Sequence, residues 1–136
     1  MATTKDTKCT KEDKDFDSLS GVVIGCAIEV HRHLGPGLLE SAYEQCLARE
    51  LSLKGIPFRL QVPLPVHYKG MNLDCGYRMD LLVGEQLIVE LKSVDKLNNI
   101  HEAQLITYMK LANIKTGLLM NFNCEILKSG IKRFMN

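Results

Sequence analysis

The sequence predicts a single α/β domain in which a mixed β-sheet is flanked by helices. Three patterns lead to this fold class. Apolar residues recur at helical spacing from Leu19 to Lys54, apolar and polar residues alternate through much of 58–94, and an apolar run at 116–122 follows a further helical pattern. The resulting order, helix, helix, three strands, helix and strand, is typical of α/β proteins. A chain of 136 residues suits one domain.

Composition narrows the class of protein. With 46% apolar and 24% charged residues and no apolar run long enough to span a bilayer, we expect a soluble globular protein without a membrane segment. Residues 1–15 lack the apolar stretch of a signal peptide, so we expect a cytoplasmic location. A formal net charge of +1 argues against bulk electrostatic coating of nucleic acid. Nucleic-acid binding would then need a local basic patch or a partner.

The five cysteines are an odd number and include no C-x-x-C pair, which argues against a disulfide framework or a zinc ribbon. Cys26 and Cys46 fall on apolar helix stripes, and Cys75 falls on an apolar strand face. We therefore interpret them as small buried hydrophobic residues.

Two helices are predicted after a polar tail. Residues 1–16 have almost no apolar side chains and are expected to form a mobile tail, which leaves a domain at 17–136. The first helix starts near the candidate caps Asp17 and Ser18 and ends at Gly35. The second runs from Leu38 to Lys54. Glu40 lies seven positions before Leu47, within roughly 20° of the apolar stripe, so its carboxylate is expected to point inward.

Three strands follow. Phe58–Tyr68 alternates strictly, and its prolines, Pro63 and Pro65, indicate an edge or irregular strand because proline cannot donate to the ladder. A second alternating run ends at Val83, and a third strand covers Gln86–Val94.

The register between the second and third strands follows from their apolar faces. A three-residue connection at 84–86 pairs Val83 with Leu87 and Asp80 with Glu90. The register that buries the apolar side chains therefore also brings two carboxylates together.

The last third of the chain predicts a helix, a buried strand and a short final element. The helix starts at Asn99, with Glu102 as its capping-box partner, and ends near Asn113. Its expected inner face consists of Leu105, Ile106, Met109 and Ala112. Thr116–Phe122 is predicted to be a buried central strand, and the final element is expected at Ser129–Met135.

Asp80 and Glu90 have the oxygen chemistry for Mg²⁺ or Mn²⁺, and the Leu91 carbonyl can add a third ligand. Lys92 shares a strand face with Glu90, where its ammonium can orient a water or stabilise developing charge. Glu40 can complete the metal shell directly or through a water. Gln104 and Tyr108 lie four residues apart on the next helix, within reach of a phosphate or base. This set predicts metal-dependent hydrolysis of a phosphodiester.

Other interpretations stay open at this point. Exposed E-x-K pairs are commonly solvated charges, and tyrosines such as Tyr43 and Tyr108 are commonly core residues. The four histidines share no face and are interpreted as ordinary surface or structural residues. The same fold could serve a catalytically silent nucleic-acid-binding or regulatory module, or the charges could form a buried ion-pair network. A homodimer or a protein partner is also open.

The joint pattern is similar to that of the PD-(D/E)xK nuclease superfamily, whose core has a restriction-endonuclease-like fold. Asp80 stands in the acidic motif, with Met79 in place of the usual proline, and Glu90-Leu91-Lys92 matches E-x-K. Gln104 to Tyr108 resembles the Q-x-x-x-Y motif of RecB-like members, and Gly37–Tyr43 resembles the motif of the GxxExxY family. The resemblance spans about 19–133.

What this resemblance implies is a cytoplasmic nuclease that uses Mg²⁺, or Mn²⁺, and acts on nucleic acid, most naturally DNA. Its active residues would be Glu40, Asp80, Glu90 and Lys92, with Gln104 and Tyr108 at the substrate. The superfamily also contains members that only bind or regulate, so the resemblance leaves turnover to be tested.

Overall fold

A computed structural model describes residues 11–136, with side chains described from Ser18 onward. Residues 1–10, which belong to the predicted tail, lie outside the described residues. The elements are α1 (Lys11–Leu34), α2 (Glu40–Leu53), β1 (Phe58–Pro63), β2 (Val66–Tyr68), β3 (Met71–Leu73), β4 (Arg78–Val83), β5 (Leu87–Lys92), α3 (Asn99–Ala112), β6 (Thr116–Asn121), a 3₁₀ turn (Leu127–Gly130) and β7 (Ile131–Met135).

Five strands form the main sheet, in the order β1-β4-β5-β6-β7. The β5–β6 pair is parallel and is connected through α3, whereas the other neighbouring pairs are antiparallel. The predicted mixed sheet flanked by helices is therefore confirmed. Among the described residues, no helix is both long and apolar enough to cross a membrane.

Helices cover both faces of the sheet. One apolar cluster joins α1 and α2 to the sheet and includes Leu47, Leu81, Val89 and Leu118. A second cluster joins α3 to the opposite face and includes Leu105, Met109, Ile88 and Leu119. The β6 strand is buried along its whole length, as predicted, and it lies between β5 and β7, whereas the central strand is β5. The carboxyl end of β5 thus lies between α2 and α3.

The predicted strand Phe58–Tyr68 is divided in two. β1 ends at Pro63 and is an edge strand, as its prolines indicated. Residues 66–68 leave the main sheet and form a separate hairpin, β2–β3, so the second alternating run is interrupted as well. Cys75 lies in that interruption and is exposed, which makes its predicted burial wrong.

Gln61 reverses the strand alternation within β1. Its backbone is left-handed, with φ of 50°, a conformation that few residues other than glycine adopt. Leu60 therefore packs with the cluster under α1 and α2, whereas Val62 joins the cluster under α3. The reversal occurs opposite Asp80, because Leu60 pairs with Leu81 and Val62 with Met79.

Several helix details differ from the prediction. α1 begins at Lys11, so the candidate caps Asp17 and Ser18 lie inside the helix. The α3 cap is Asn98 rather than Asn99, and its capping-box partner is His101 rather than Glu102. The Asn98 side chain accepts from the His101 backbone N–H at 3.3 Å, and His101 Nδ1 accepts from the Asn98 N–H at 3.1 Å.

The inner face of α3 is also partly different. Leu105 and Met109 are buried as predicted, but Tyr108 takes the third buried position. Ile106 and Ala112 are only half-buried. The buried face of α3 is therefore turned toward the Gln104–Tyr108 side.

Gly117 permits the close contact of β6 with α3. A Cβ added there would lie 2.8 Å from Met109 Sδ and 3.0 Å from Leu105 Cδ1. We expect Gly117→Ala to lower the free energy of unfolding by about 1–3 kcal/mol, because these buried neighbours must move. Urea denaturation followed by circular dichroism measures the change.

Gly25→Ala is the matched control. A Cβ at Gly25 would have no neighbour within 4 Å, and the residue lies inside α1. We expect this substitution to be neutral or to stabilise by up to about 1 kcal/mol. Equal effects of the two substitutions would contradict the packing assigned to Gly117.

Candidate active site

The candidate site lies where the backbone ladder between β4 and β5 ends. Val83 pairs with Leu87 and Leu81 pairs with Val89, which confirms the predicted register. Beyond these pairs, side-chain carboxylates take the place of backbone carbonyls as hydrogen-bond acceptors between the two strands. The Asp80 backbone N–H donates to Glu90 Oε2 at 2.8 Å, and the Leu91 N–H donates to Asp80 Oδ2 at 2.8 Å. Each carboxylate is thus held by the backbone of the opposite strand.

Both carboxylates are in an environment that disfavours their charge. Glu90 is 4% exposed, and its burial and the neighbouring Asp80 carboxylate raise its pKa to about 8. Burial also raises the pKa of Asp80, although the Leu91 N–H opposes this shift. The Lys92 ammonium lowers both pKa values but does not cancel the effect of burial. A bound cation would relieve this excess of negative charge.

Glu40 approaches the pair from the first turn of α2. Its Oε2 accepts from the Ser93 backbone N–H at 3.0 Å, which connects α2 to the segment after β5. Its charge raises the pKa values of Asp80 and Glu90, so it acts on both carboxylates. The Glu40 side chain is nevertheless exposed and lies at the rim of the site, not inside the apolar stripe.

Lys92, Gln104 and Tyr108 form a chain of polar contacts on the α3 side. Lys92 Nζ donates a long hydrogen bond of 3.5 Å to Gln104 Oε1, and Gln104 Nε2 donates to Tyr108 Oη at 3.2 Å. Tyr108 is buried, and desolvation together with the charge of Glu90 raises its pKa. The structure therefore brings all six predicted side chains to one end of β5, from α2, β4, β5 and α3.

Two residues that the sequence analysis did not identify adjoin this set. Gln61 Nε2 donates to Glu44 Oε1 at 2.5 Å and makes a longer contact of 3.4 Å with Asp80 Oδ1. Glu44 is buried, and desolvation raises its pKa against the effect of the Gln61 hydrogen bond. Glu44 could have been found from sequence, because it lies four positions after Glu40 on the same helix face.

A cavity of about 460 Å³ joins these groups. Its lining includes Glu40, Glu44, Gln61, Asp80 and Leu91. Three carboxylates and an amide thus face one open space beside the end of β5.

A small hard cation fits this donor set as a partly hydrated ion. Mg²⁺ is commonly held by only one or two carboxylates and keeps several waters. Asp80 and Glu90 each use one oxygen for the N–H bonds, and the second Asp80 oxygen makes only the long Gln61 contact. The Leu91 carbonyl is adjacent. Within the described part of the chain, no three His, Cys, Asp or Glu side chains are grouped so that they could hold a metal ion. The residues therefore fit an open site and not a closed cage.

The remaining singled-out residues are structural. Buried His31 donates from Nε2 to the Cys124 carbonyl at 2.7 Å, and His33 contacts Glu29. Tyr43 stacks on Phe122 at 4.4 Å between ring centroids. Its hydroxyl donates to the Gly35 carbonyl at 2.7 Å and accepts from the Leu38 N–H at 3.1 Å. These contacts confirm the interpretation of His31 as a structural residue and of Tyr43 as a core aromatic residue.

The raised pKa of Glu90 predicts a pH-dependent stability. Because the folded state binds this proton more tightly than the unfolded chain, the contribution is complete below about pH 4.5 and is lost as the pH rises through about 8. We expect the free energy of unfolding to fall by on the order of a few kcal/mol across that range. Denaturant titrations at pH 5 and pH 8.5 measure it, and Glu90→Gln should flatten most of the slope. An unchanged slope in that variant would contradict the assignment.

The Gln61 amide is predicted to stabilise the charged carboxylates of Glu44 and Asp80. Gln61→Met removes the donor at similar volume, so we expect the pKa values of both Asp80 and Glu44 to rise. Carboxyl-carbon NMR titration measures them. Arg59→Met, two residues earlier on β1 and paired with the exposed Glu85, is the control and should leave both values unchanged. Equal values in wild type and Gln61→Met would refute the contact.

Comparison with known proteins agrees with this architecture. A family model described as the PD-(D/E)XK nuclease superfamily matches residues 17–134. No curated protein and no solved structure matches the chain. The matched residues include every residue of the candidate site and most of the helices and strands that pack on the two faces of the sheet. The chain therefore belongs to the PD-(D/E)XK nuclease superfamily, a membership that suggests nuclease activity.

Proposed function

We propose that this protein is a metal-dependent nuclease that hydrolyses phosphodiester bonds in DNA, with Mg²⁺ or Mn²⁺ as its cofactor. The observation that carries the proposal is the crossed pair of hydrogen bonds between β4 and β5, which holds Asp80 and Glu90 opposite each other beside Lys92. Two carboxylates and an amine in one partly buried place are the groups that this chemistry requires.

The proposed ligands are Asp80, Glu90 and the Leu91 carbonyl, with Glu40 completing the shell, most simply through a water because it lies at the rim. When bound, the ion supplies neutralisation of the phosphoryl oxygens and lowers the pKa of a bound water. Lys92 would orient the attacking water or stabilise the charge that develops on the phosphate. Gln104 and Tyr108, which follow Lys92 along the polar chain, would contact the substrate.

The net charge and the family support our proposals for the substrate, the partners and the cellular location. A nucleic-acid substrate agrees with the superfamily, and DNA is our proposal for it. Because the net charge is only +1, we expect weak intrinsic affinity and a contribution from a homodimer or a protein partner. The free cysteines of the described residues favour a cytoplasmic, reducing location.

We also propose that the chain is a member of the GxxExxY family. Support comes from what the motif residues do. The Tyr43 hydroxyl joins Gly35 and Leu38 across the loop that precedes α2, and Glu40 binds the Ser93 N–H. The motif thus fixes the start of α2 against the end of β5.

A catalytically silent nucleic-acid-binding or regulatory module is the alternative function. It is favoured by one observation: Asp80 and Glu90 each accept a backbone hydrogen bond from the opposite strand, which is a structural role. Calorimetry separates the two functions. Uptake of Mn²⁺ at micromolar to millimolar concentration that is lost in Asp80→Asn supports the nuclease, and no uptake supports the silent module.

Cleavage itself gives the direct prediction. Purified protein should cleave DNA when Mg²⁺ or Mn²⁺ is added, and Lys92→Ala should lower the rate by about 10²–10³-fold or more, since a charge-stabilising donor is lost. The measurement is the initial rate on a labelled oligonucleotide, with thermal unfolding to verify the fold.

Lys54→Ala is the matched control, because Lys54 caps the opposite end of α2 from Glu40. It should cleave like the wild type. Equal rates in Lys92→Ala and wild type would point to a contaminating nuclease and end the assignment.

A further inference from the structure

We propose that a groove along α3 binds an unpaired nucleobase of a single-stranded nucleic acid, next to the phosphate that Lys92 would face. This inference rests on the proposed function and names its substrate class. The α3 groove has a volume of about 450 Å³, and its lining includes Val66, Tyr77, Ile100, Gln104, Tyr108 and Leu111.

The lining suits the face of an aromatic base. No charged side chain is among the residues that line the groove. The Tyr77 and Tyr108 rings meet edge to face, with centroids 6.2 Å apart, and Tyr77 is 45% exposed. Ile100 is 75% exposed on the first turn of α3. Aromatic side chains bind bases by stacking irrespective of sequence, because every base has a π face.

The groove is continuous with the candidate active site through one side chain. Gln104 lines the groove and also accepts the Lys92 hydrogen bond, while its amide donates to Tyr108. A base in the groove would therefore place its own backbone phosphate toward Lys92. An uncharged groove beside the Lys92 ammonium matches a nucleotide, in which the ring face of the base is apolar and the phosphate is anionic.

The geometry favours a single strand over a duplex. In a duplex each base is stacked and paired, so a base can enter a side groove only after it is flipped out, at a cost of a few kcal/mol. An unpaired strand does not have this cost. We therefore expect single-stranded DNA, or unpaired ends of duplex DNA, to be the preferred substrate.

The test measures binding, so it does not depend on turnover. Fluorescence anisotropy with Ca²⁺ would compare three ligands: a labelled single-stranded oligonucleotide, the same strand with abasic sites, and the matching duplex. We expect the intact strand to bind roughly five-fold to a hundred-fold more tightly than the abasic strand. Tyr77→Leu should remove that difference, and Tyr77→Phe should keep it because the ring remains.

Tyr68→Leu is the control, since Tyr68 is an exposed tyrosine of β2 that does not line the groove. It should bind like the wild type. Equal affinity of the wild type for intact and abasic strands would overturn the inference, as would an equal loss in the Tyr68 variant. The inference would also be overturned if Ile100→Ser and Tyr77→Leu weakened only self-association in sedimentation experiments, which would make the groove an interface between copies.

The groove and the nuclease activity can fail independently, and the experiments distinguish the two failures. Base-dependent binding without Mg²⁺-dependent cleavage would keep the groove and reject the nuclease. Cleavage at equal rates on single-stranded and duplex DNA, with no effect of the abasic sites on binding, would keep the nuclease and reject the groove.

Discussion

The crossed hydrogen bonds between β4 and β5 are the constraint on which the candidate site depends. They occur because the apolar register of the two strands, with Val83 opposite Leu87, leaves Asp80 opposite Glu90 at the end of the ladder. A shift of one residue would move the side chains of one strand to the opposite face of the sheet, disrupt the packing of both apolar clusters and separate the carboxylates. The strand register that buries the core therefore also positions the two carboxylates of the site.

The helices complete the site at some cost to stability. α2 brings Glu40 and Glu44, and α3 brings Gln104 and Tyr108, to the end of β5. Burying Glu90 near other carboxylates is unfavourable for the folded protein, and the raised pKa of Glu90 measures this. Perturbed carboxylates of this kind are frequent at functional sites. The fold tolerates the pair because apolar clusters on both faces of the sheet hold β4 and β5 in place.

The fold could be predicted from the sequence where one physical rule dominates. Strand alternation and the short 84–86 connection predicted the central register, and two prolines predicted the edge position of β1. The structure differs from the sequence pattern where tertiary contacts override local preference. The left-handed backbone of Gln61 reverses an alternation that looks uninterrupted in the sequence. The alternating run 58–68 predicts one strand, but its last residues leave the main sheet and form the β2–β3 hairpin. The Gln61 contacts with Glu44 and Asp80 follow from that backbone, so they could not be anticipated.

Anomalous diffraction from a crystal soaked in Mn²⁺ shows whether Asp80 and Glu90 bind one ion, and it does not require turnover. We expect one anomalous peak at roughly 2.0–2.6 Å from a carboxylate oxygen of each residue, the distance typical of hard cations and oxygen ligands. If saturating Mn²⁺ gives no peak there, and both carboxylates still accept hydrogen bonds from the backbone N–H groups of the opposite strand, the proposed metal site is wrong.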